Sequence, residues 1–460
     1  MAARGGFSNK FGFIMAAAGS AVGLGNIWKF PFEVVDGGGA AFVIIYLLCC
    51  FLLCFPVMIA EVAIGRKTNL NAVESFKKLG FPRWSFIGLM GIISGVLILS
   101  FYNVVAGWTI GFTFQMIQGN FEIGQQFGHF IADWKTIMIY STVFMIATAY
   151  IVAQGVSGGI EKASKILMPT LLVIIIGLTL YSFTQEGAMN GVEYYLIPDF
   201  SKVTIQTIYG ALGQAFFSLS LGMGALITYG SYVGKKDNLI SSAVYITLAD
   251  VSIATLAGLM MFAFLFSQNL PYDEGGAGLI YTVLPGAFAS MGSTLGPILG
   301  TLFFLLLSFA ALTSTVSLLE VPVAYLVDTF GLRRKRAVWL TAGGIYLLGI
   351  PSLLGNGAVP ELTEFITYVG ANKAASFMDF VEGIASNTML PIGGFLICIF
   401  TTYVWNTKNL VEEVKNGNPE FANSWIASYV TFALKYLCPI ILGVISIVTI
   451  LDKFLGIDIV

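Results

Sequence analysis

The sequence predicts an all-α polytopic membrane protein, with about eleven transmembrane helices in one domain. Three observations carry that reading. Of 460 residues, 57% are hydrophobic and only 10% charged, with a mean hydropathy of +0.85. Soluble domains do not combine those values. Many segments reach the ~20 apolar residues that span hydrocarbon. Two of them, the first and the sixth, are interrupted by glycines.

The expected spans are 11–33, 40–65, 84–117, 136–153, 163–184, 204–232, 239–267, 295–330, 337–354, 374–402 and 427–451. The first is too long for a signal-peptide core and runs on without a cleavage site, so no cleavable leader is expected. Basic residues set the orientation. Arg4, Lys10, Arg66, Lys67, Lys77, Lys78, Arg83 and the run 333–336 dominate one set of loops. With the N-terminus inside, roughly 17 basic residues fall on cytoplasmic loops and about four outside. That predicts a multi-pass protein of a bacterial-type inner membrane with a cytoplasmic N-terminus.

The first span reads GSAVGLGNIWKFP, with Gly19, Gly23 and Gly25 within seven residues. Each glycine weakens a helix interior by roughly 1 kcal/mol against alanine. Lipid does not tolerate unpaired backbone, so a broken span implies irregular backbone lining a cavity. The sixth span repeats the feature in AFFSLSLGMGALITYGSY, where Gly222 and Gly224 bracket Met223. The two breaks lie five spans apart. A repeat with an odd number of spans must be inverted, and paired broken spans mark the binding site of a secondary transporter. The expected halves are 11–185 and 204–402, followed by a cytoplasmic loop and an eleventh helix in 403–460. Small-residue helix packing would be the better account of either break alone.

Unwound backbone supplies chemistry. Half-helix N-termini present N–H groups suited to a carboxylate. Freed carbonyls and the oxygens of Asn26, Ser218, Ser220, Thr313, Ser314 and Thr315 suit Na⁺. Charged residues within or beside the spans are few: Lys29, Glu61, Asp250, Glu320, Asp328 and Asp379. Such residues default to functional roles, with ion pairing for packing as the alternative. For Glu320 the packing role is expected.

Other chemistries find little support. The five cysteines lie in or beside apolar spans without metal spacing, and the chain has one histidine, His129. Zinc, disulfide and nucleophile–base constellations are therefore not expected, nor is enzymatic activity. Isolated acids do not make the polar rings of a channel. No loop has the basic, aromatic-interleaved character of a nucleic-acid surface.

These motifs resemble the neurotransmitter:sodium symporter family, and its bacterial amino-acid carriers in particular. GSAVGLGNIWKFP matches the first-helix signature. P-x-M-x-x-E-x-x-x-G-R from Pro56 to Arg66 matches the end of the second helix. GQAFFSLSLGMGALITYGSY, the loop GLIYTVLPGAF and FAALTS match as well. The match is collinear from Arg4 to about Asn416. The resemblance implies the LeuT fold, a 5+5 inverted repeat with helices 1 and 6 unwound at the midplane. It implies two Na⁺ ions and no organic cofactor. One sodium site would be Ala21, Asn26, Ser218 and Asp250, completed by the substrate's carboxylate. The other would be Gly19, Val22, Ala310, Thr313 and Ser314. The substrate pocket would be Leu24, Gly25, Ile98, Tyr102, Phe217, Ser220, Met223, Ser314 and Leu318. Lys29 and Asp379 would form an outer gate. Arg4 and Asp328 would form an inner one, with Phe7, Ser231 and Tyr232 nearby. Glu61 and Gln214 would join the polar network beside the unwound helices.

Four departures from the family pattern refine the expectation. Lys29 stands where arginine is usual, and an ammonium lacks the guanidinium's bidentate fork. Asp250 stands where the bacterial leucine carriers have a neutral Asn, and Ala254 replaces a polar or acidic residue linked to chloride. A fixed carboxylate would supply the charge chloride supplies elsewhere. Gly23 takes the place of the aspartate that meets the ammonium of monoamines, so the substrate must bring its own carboxylate. Met223 replaces an aromatic and tolerates varied side chains. The expected activity is sodium-coupled, chloride-independent import of a hydrophobic L-amino acid, aliphatic or aromatic, by alternating access. A sodium-dependent receptor without flux, or a carrier of another small carboxylated amine, would share the pocket. The lipid bilayer is the expected surrounding, and a monomer or weak homodimer the expected assembly.

Overall fold

The structure, a computed structural model, describes residues 5–268, 278–369 and 373–455. Among these residues there are no strands, and one isolated bridge joins Ile366 to Ala375. Among the described residues, nine uninterrupted apolar helices are long enough to cross a membrane, from Ala40–Thr68 to Trp425–Leu451, and the bent pair Lys10–Ala21 and Gly25–Asp36 makes one more. The expected sixth span is divided into Ile205–Ser218 and Ala225–Gly230. Each piece is too short to cross alone, which is why this segment is not among the ten. Counted as one, it completes the expected set.

The physical reason for each break is local. After Ala21 the chain leaves helical geometry at Val22, with ψ 101°, and turns by 43° before the next helix. In the sixth span Ser220, Gly222 and Gly224 all have positive φ, at 54°, 78° and 73°. Left-handed geometry suits glycine, but Ser220 adopts it at a steric cost. A side chain at Gly222 would meet the Leu390 carbonyl oxygen at 2.4 Å. The span Phe377–Val404, which carries Leu390, therefore presses on the unwound segment, and only glycine fits between them.

The two broken spans form the centre. The first half-helix packs on the fifth, seventh and eighth spans, Val156–Ser182, Leu239–Ser267 and Gly292–Phe330. The piece Ala225–Gly230 packs on the second span, Ala40–Thr68. Large apolar side chains on the outer spans face outward, such as Val173, Leu347 and Ile440. This is the pattern of a bundle with lipid as its solvent.

A buried ion cluster ties the bundle at one end. Arg66 and Glu413 have no exposed side-chain surface, and Arg66 Nε lies 2.9 Å from Glu413 Oε1. Lys235 Nζ also lies 2.9 Å from that oxygen, and Arg66 donates to the Asp237 carbonyl at 2.7 Å. The cluster joins the second span to the helix Thr407–Lys415. Breaking one partner of a buried pair leaves an uncompensated charge. Glu413→Ala is expected to destabilise the fold by about 3–5 kcal/mol. Thermal unfolding of purified protein in detergent reads that loss.

Candidate functional site: a closed cavity between two broken helices

The gaps in spans one and six face each other across a small cavity, in which the centre of a water-sized sphere has about 20 Å³ to move. Its walls include Gly25, Ile98, Tyr102, Phe217, Ser220, Met223, Ser314 and Leu318, together with Ser20, Ala21, Gly23, Ser218 and Ser317. Eight of the nine expected pocket residues thus meet in one cavity. Leu24 is the exception. Its backbone N–H donates to the Tyr102 hydroxyl at 2.8 Å, and it does not form the wall. The lining side chains are all buried, with Phe217 the most exposed at 8%. The site is small, with room for little more than a water molecule between its walls, far below the volume of a drug-sized ligand pocket.

Space explains the glycines. A Cβ at Gly23 would lie 2.2 Å from Ser314 Oγ and 2.8 Å from the Tyr102 hydroxyl. At Gly25 it would lie 3.0 Å from the Phe217 ring. Backbone must approach both walls closely, and a side chain would fill the cavity.

Asn26, Ser218 and Asp250 form one tight group beside it. Asp250 Oδ1 accepts from Asn26 Nδ2 at 2.7 Å and from Ser218 Oγ at 2.6 Å. Asn26 Oδ1 in turn accepts the Gly23 N–H at 3.0 Å. Asp250 Oδ2 accepts from the Tyr46 hydroxyl at 2.9 Å. All these partners are neutral, and among the described residues no Lys or Arg forms an ion pair with Asp250. Asp250 is fully buried. Buried charges are ordinarily paired or bound to metal ions, so this carboxylate is suited to a cation from solution. Sequence reasoning misses Tyr46, because a tyrosine in an apolar run carries no spacing signal.

The second expected group also comes together. Thr313 Oγ1 lies 2.9 Å from the Ala310 carbonyl and 3.4 Å from that of Val22. A Cβ on Gly19 would touch Thr313 Cβ at 3.2 Å. Ser314 faces the Ser20 carbonyl, at 3.4 Å. Nearby, Glu61 Oε1 accepts the Gly222 N–H at 2.8 Å, and Gln214 Nε2 donates to the Gly25 carbonyl at 2.7 Å. Glu61 thus satisfies a backbone N–H of the unwound stretch, and Gln214 adds a second donor to the Gly25 carbonyl, which also accepts the Phe30 N–H.

The gate residues require a correction. Lys29 Nζ pairs with Glu382 Oε1 at 2.7 Å and lies 3.9 Å from Glu33, not with Asp379. Asp379 occupies the third position of the short helix Phe377–Glu382. There its Oδ2 accepts from the N–H and hydroxyl of Ser376, at 3.1 and 2.8 Å. This capping box uses the carboxylate, and the residue one turn on takes the ammonium. Lys29 Nζ also lies 5.1 Å from the centre of the Phe217 ring, so the pair sits on the lid of the cavity.

At the other end, Arg4 lies outside the described residues. Asp328 accepts from the N–H and side chain of Asn71, at 3.0 and 3.1 Å. The Phe7 ring packs on Phe13, Tyr229 and Tyr232. The Tyr232 hydroxyl donates to Glu320 at 2.7 Å, and Arg334 pairs with the same carboxylate. Ser8 donates to Glu161 on the fifth span through both its N–H and its hydroxyl. Glu320 is thus held in a packed ion pair. Ser231 lies beside this closure, and Asn69 Nδ2 donates to its carbonyl.

Fold and site together define a multi-span helical membrane protein built around an occluded cavity between two interrupted helices. The profile of the sodium:neurotransmitter symporter family matches residues 4–137 and 125–454. The chain belongs to this family and is a sodium-dependent transporter. It is 36% identical over 449 residues to an uncharacterized sodium-dependent transporter of Bacillus subtilis, covering 94% of this chain and 95% of that one. A Haemophilus influenzae relative of the same description is 33% identical over 459 residues, covering 96% and 97%. Among solved structures, MhsT in complex with L-phenylalanine superposes with a TM-score of 0.88 at 42% identity, covering 97% of this chain and all of that one.

Proposed function

We propose that the protein is a sodium-coupled symporter that imports a hydrophobic L-amino acid, aliphatic or aromatic, without requiring chloride. The observation that carries this reading is Asp250, a buried carboxylate whose partners among the described residues are all neutral, beside a small, largely apolar cavity. It supplies a fixed negative charge to one Na⁺, shared with Asn26, Ser218 and the Ala21 carbonyl. Thr313, Ser314 and the carbonyls of Gly19, Val22 and Ala310 hold a second. The substrate's carboxylate completes the first site, near the Tyr102 hydroxyl and the start of the second half-helix. Gly23 leaves no acid for an amine without a carboxylate. Ile98, Met223 and Leu318 receive an apolar side chain, and the L-phenylalanine bound to MhsT is of that class.

Transport proceeds by alternating access, with the halves 11–185 and 204–402 as inverted repeats and the N-terminus cytoplasmic. Lys29, Glu382 and Phe217 close the outer side. The contacts of Phe7, Tyr232 and Ser8 close the inner side, and these must part for release. Each Na⁺ moving down 100 mV gains about 2.3 kcal/mol. One or two ions therefore drive steep accumulation.

Competition by the twenty amino acids against one labelled substrate in proteoliposomes tests this. Leucine, phenylalanine and similar residues should compete, and only with Na⁺ present. Competition confined to glycine or to charged amino acids would refute the assignment.

A further inference from the structure

Among the described residues Lys29 has two carboxylate partners, and different parts of the bundle hold them. Glu382 Oε1, at 2.7 Å, belongs to the helix Phe377–Glu382 at the outer end of the span Phe377–Val404. Glu33 Oε1, at 3.9 Å, lies one turn along the helical stretch Gly25–Asp36 that carries Lys29 itself. Glu33 Oε2 is turned towards the outer piece of span six, 3.6 Å from the place a Cβ on Gly210 would take. The Lys29 side chain is only 6% exposed. A charge so buried needs a partner at every stage, because removing one leaves it uncompensated. The two contacts respond differently when the outer side opens. Opening parts the outer end of span one from the helix Phe377–Glu382 and stretches the contact with Glu382. The contact with Glu33 joins residues four apart on one helix, which remain neighbours however that helix moves as a body.

Resting on the reading of Lys29, Glu382 and Phe217 as the outer closure, we propose that Glu33 is the partner of the Lys29 ammonium in the open state. It takes the ammonium over as Glu382 leaves, so opening strands no charge inside the protein. Glu382 stabilises the closed gate, and Glu33 stabilises the open one. Glu33 is thus a positioning residue of the transport cycle, acting through Lys29 and not on the substrate. Lysine suits this transfer. Its ammonium carries three rotatable donors on a flexible stem, whereas the planar fork of an arginine commits to one carboxylate.

The test is the rate at which labelled L-phenylalanine leaves the purified full chain in detergent, at saturating Na⁺ and with unlabelled phenylalanine in excess. Glu382→Gln should speed release about tenfold, the size of one hydrogen bond to a charged group. Glu33→Gln should do the opposite and slow release by about as much, although it removes a carboxylate from the same ammonium. Glu33→Ala, which keeps neither charge nor length, should slow release as well and serves if Glu33→Gln fails to fold. A purely structural role for Glu33 would loosen the gate and speed release. Faster release in the Glu33 variants would therefore overturn the proposal, and so would release at the native rate. Native-rate release in Glu382→Gln would instead defeat the outer closure on which the proposal rests. Absence of sodium-dependent phenylalanine binding by the native protein would defeat the functional reading, and the proposal with it.

Discussion

Asp250→Asn is expected to lower the apparent affinity for Na⁺ ten- to a hundredfold while leaving a folded protein. The asparagine keeps the shape and one acceptor oxygen, so Asn26 and Ser218 retain a partner at the position of Oδ1. What disappears is the charge. Two unit charges ~4 Å apart interact by about 4 kcal/mol at the effective dielectric of protein sites. Part of that is offset by the desolvation the neutral side chain no longer suffers, so one to two powers of ten in affinity is the expected remainder. Sodium activation curves of uptake, with thermal stability measured alongside, give the answer. An unchanged sodium curve in a folded variant would remove Asp250 from the ion site.

The gate gives the second large effect. Lys29→Glu would place a carboxylate beside Glu33 and Glu382 and next to the Phe217 ring. Like charges at that distance oppose closure, and the attraction of the ammonium to the ring is lost as well. Uptake is expected to fall at least tenfold. Adding Glu382→Lys restores an opposite pair and should recover much of the loss. Asp379→Asn should change uptake less than twofold, because its oxygen serves a helix cap whose loss is worth ~1 kcal/mol of local stability. If Asp379→Asn were as damaging as Lys29→Glu, and the charge swap rescued nothing, the pairing with Glu382 would be wrong.

The gate also shows what can be read from a chain of letters. Asp379 and Glu382 are three residues apart on one helix, so both present to the same side. Only the capping box at Ser376 decides between them, and that depends on where the helix begins. The breaks in spans one and six are legible because glycines clustered in an apolar run weaken the helix at one place, and the two places correspond. The cavity wall is legible largely through resemblance. Ser317 is within reach of the same reasoning, since it follows Ser314 by one turn and Ser314 belongs to the expected pocket. Ser20 and Tyr46 have no such cue. Their importance arises from contacts across 200 or more residues, as between Ser20 and Ser220 or Tyr46 and Asp250. The Arg66–Glu413 pair, 347 residues apart, is hidden for the same reason.

Asp250 makes the account depend on charge supplied by the protein and not by a second ion. The most direct measurement is uptake of labelled phenylalanine into proteoliposomes under an inward Na⁺ gradient, with chloride fully replaced by gluconate. The account predicts accumulation above equilibrium that vanishes when the Na⁺ gradient is removed and is the same in gluconate as in chloride. Accumulation that persists without Na⁺, or that collapses when chloride is withdrawn at constant Na⁺, would contradict it.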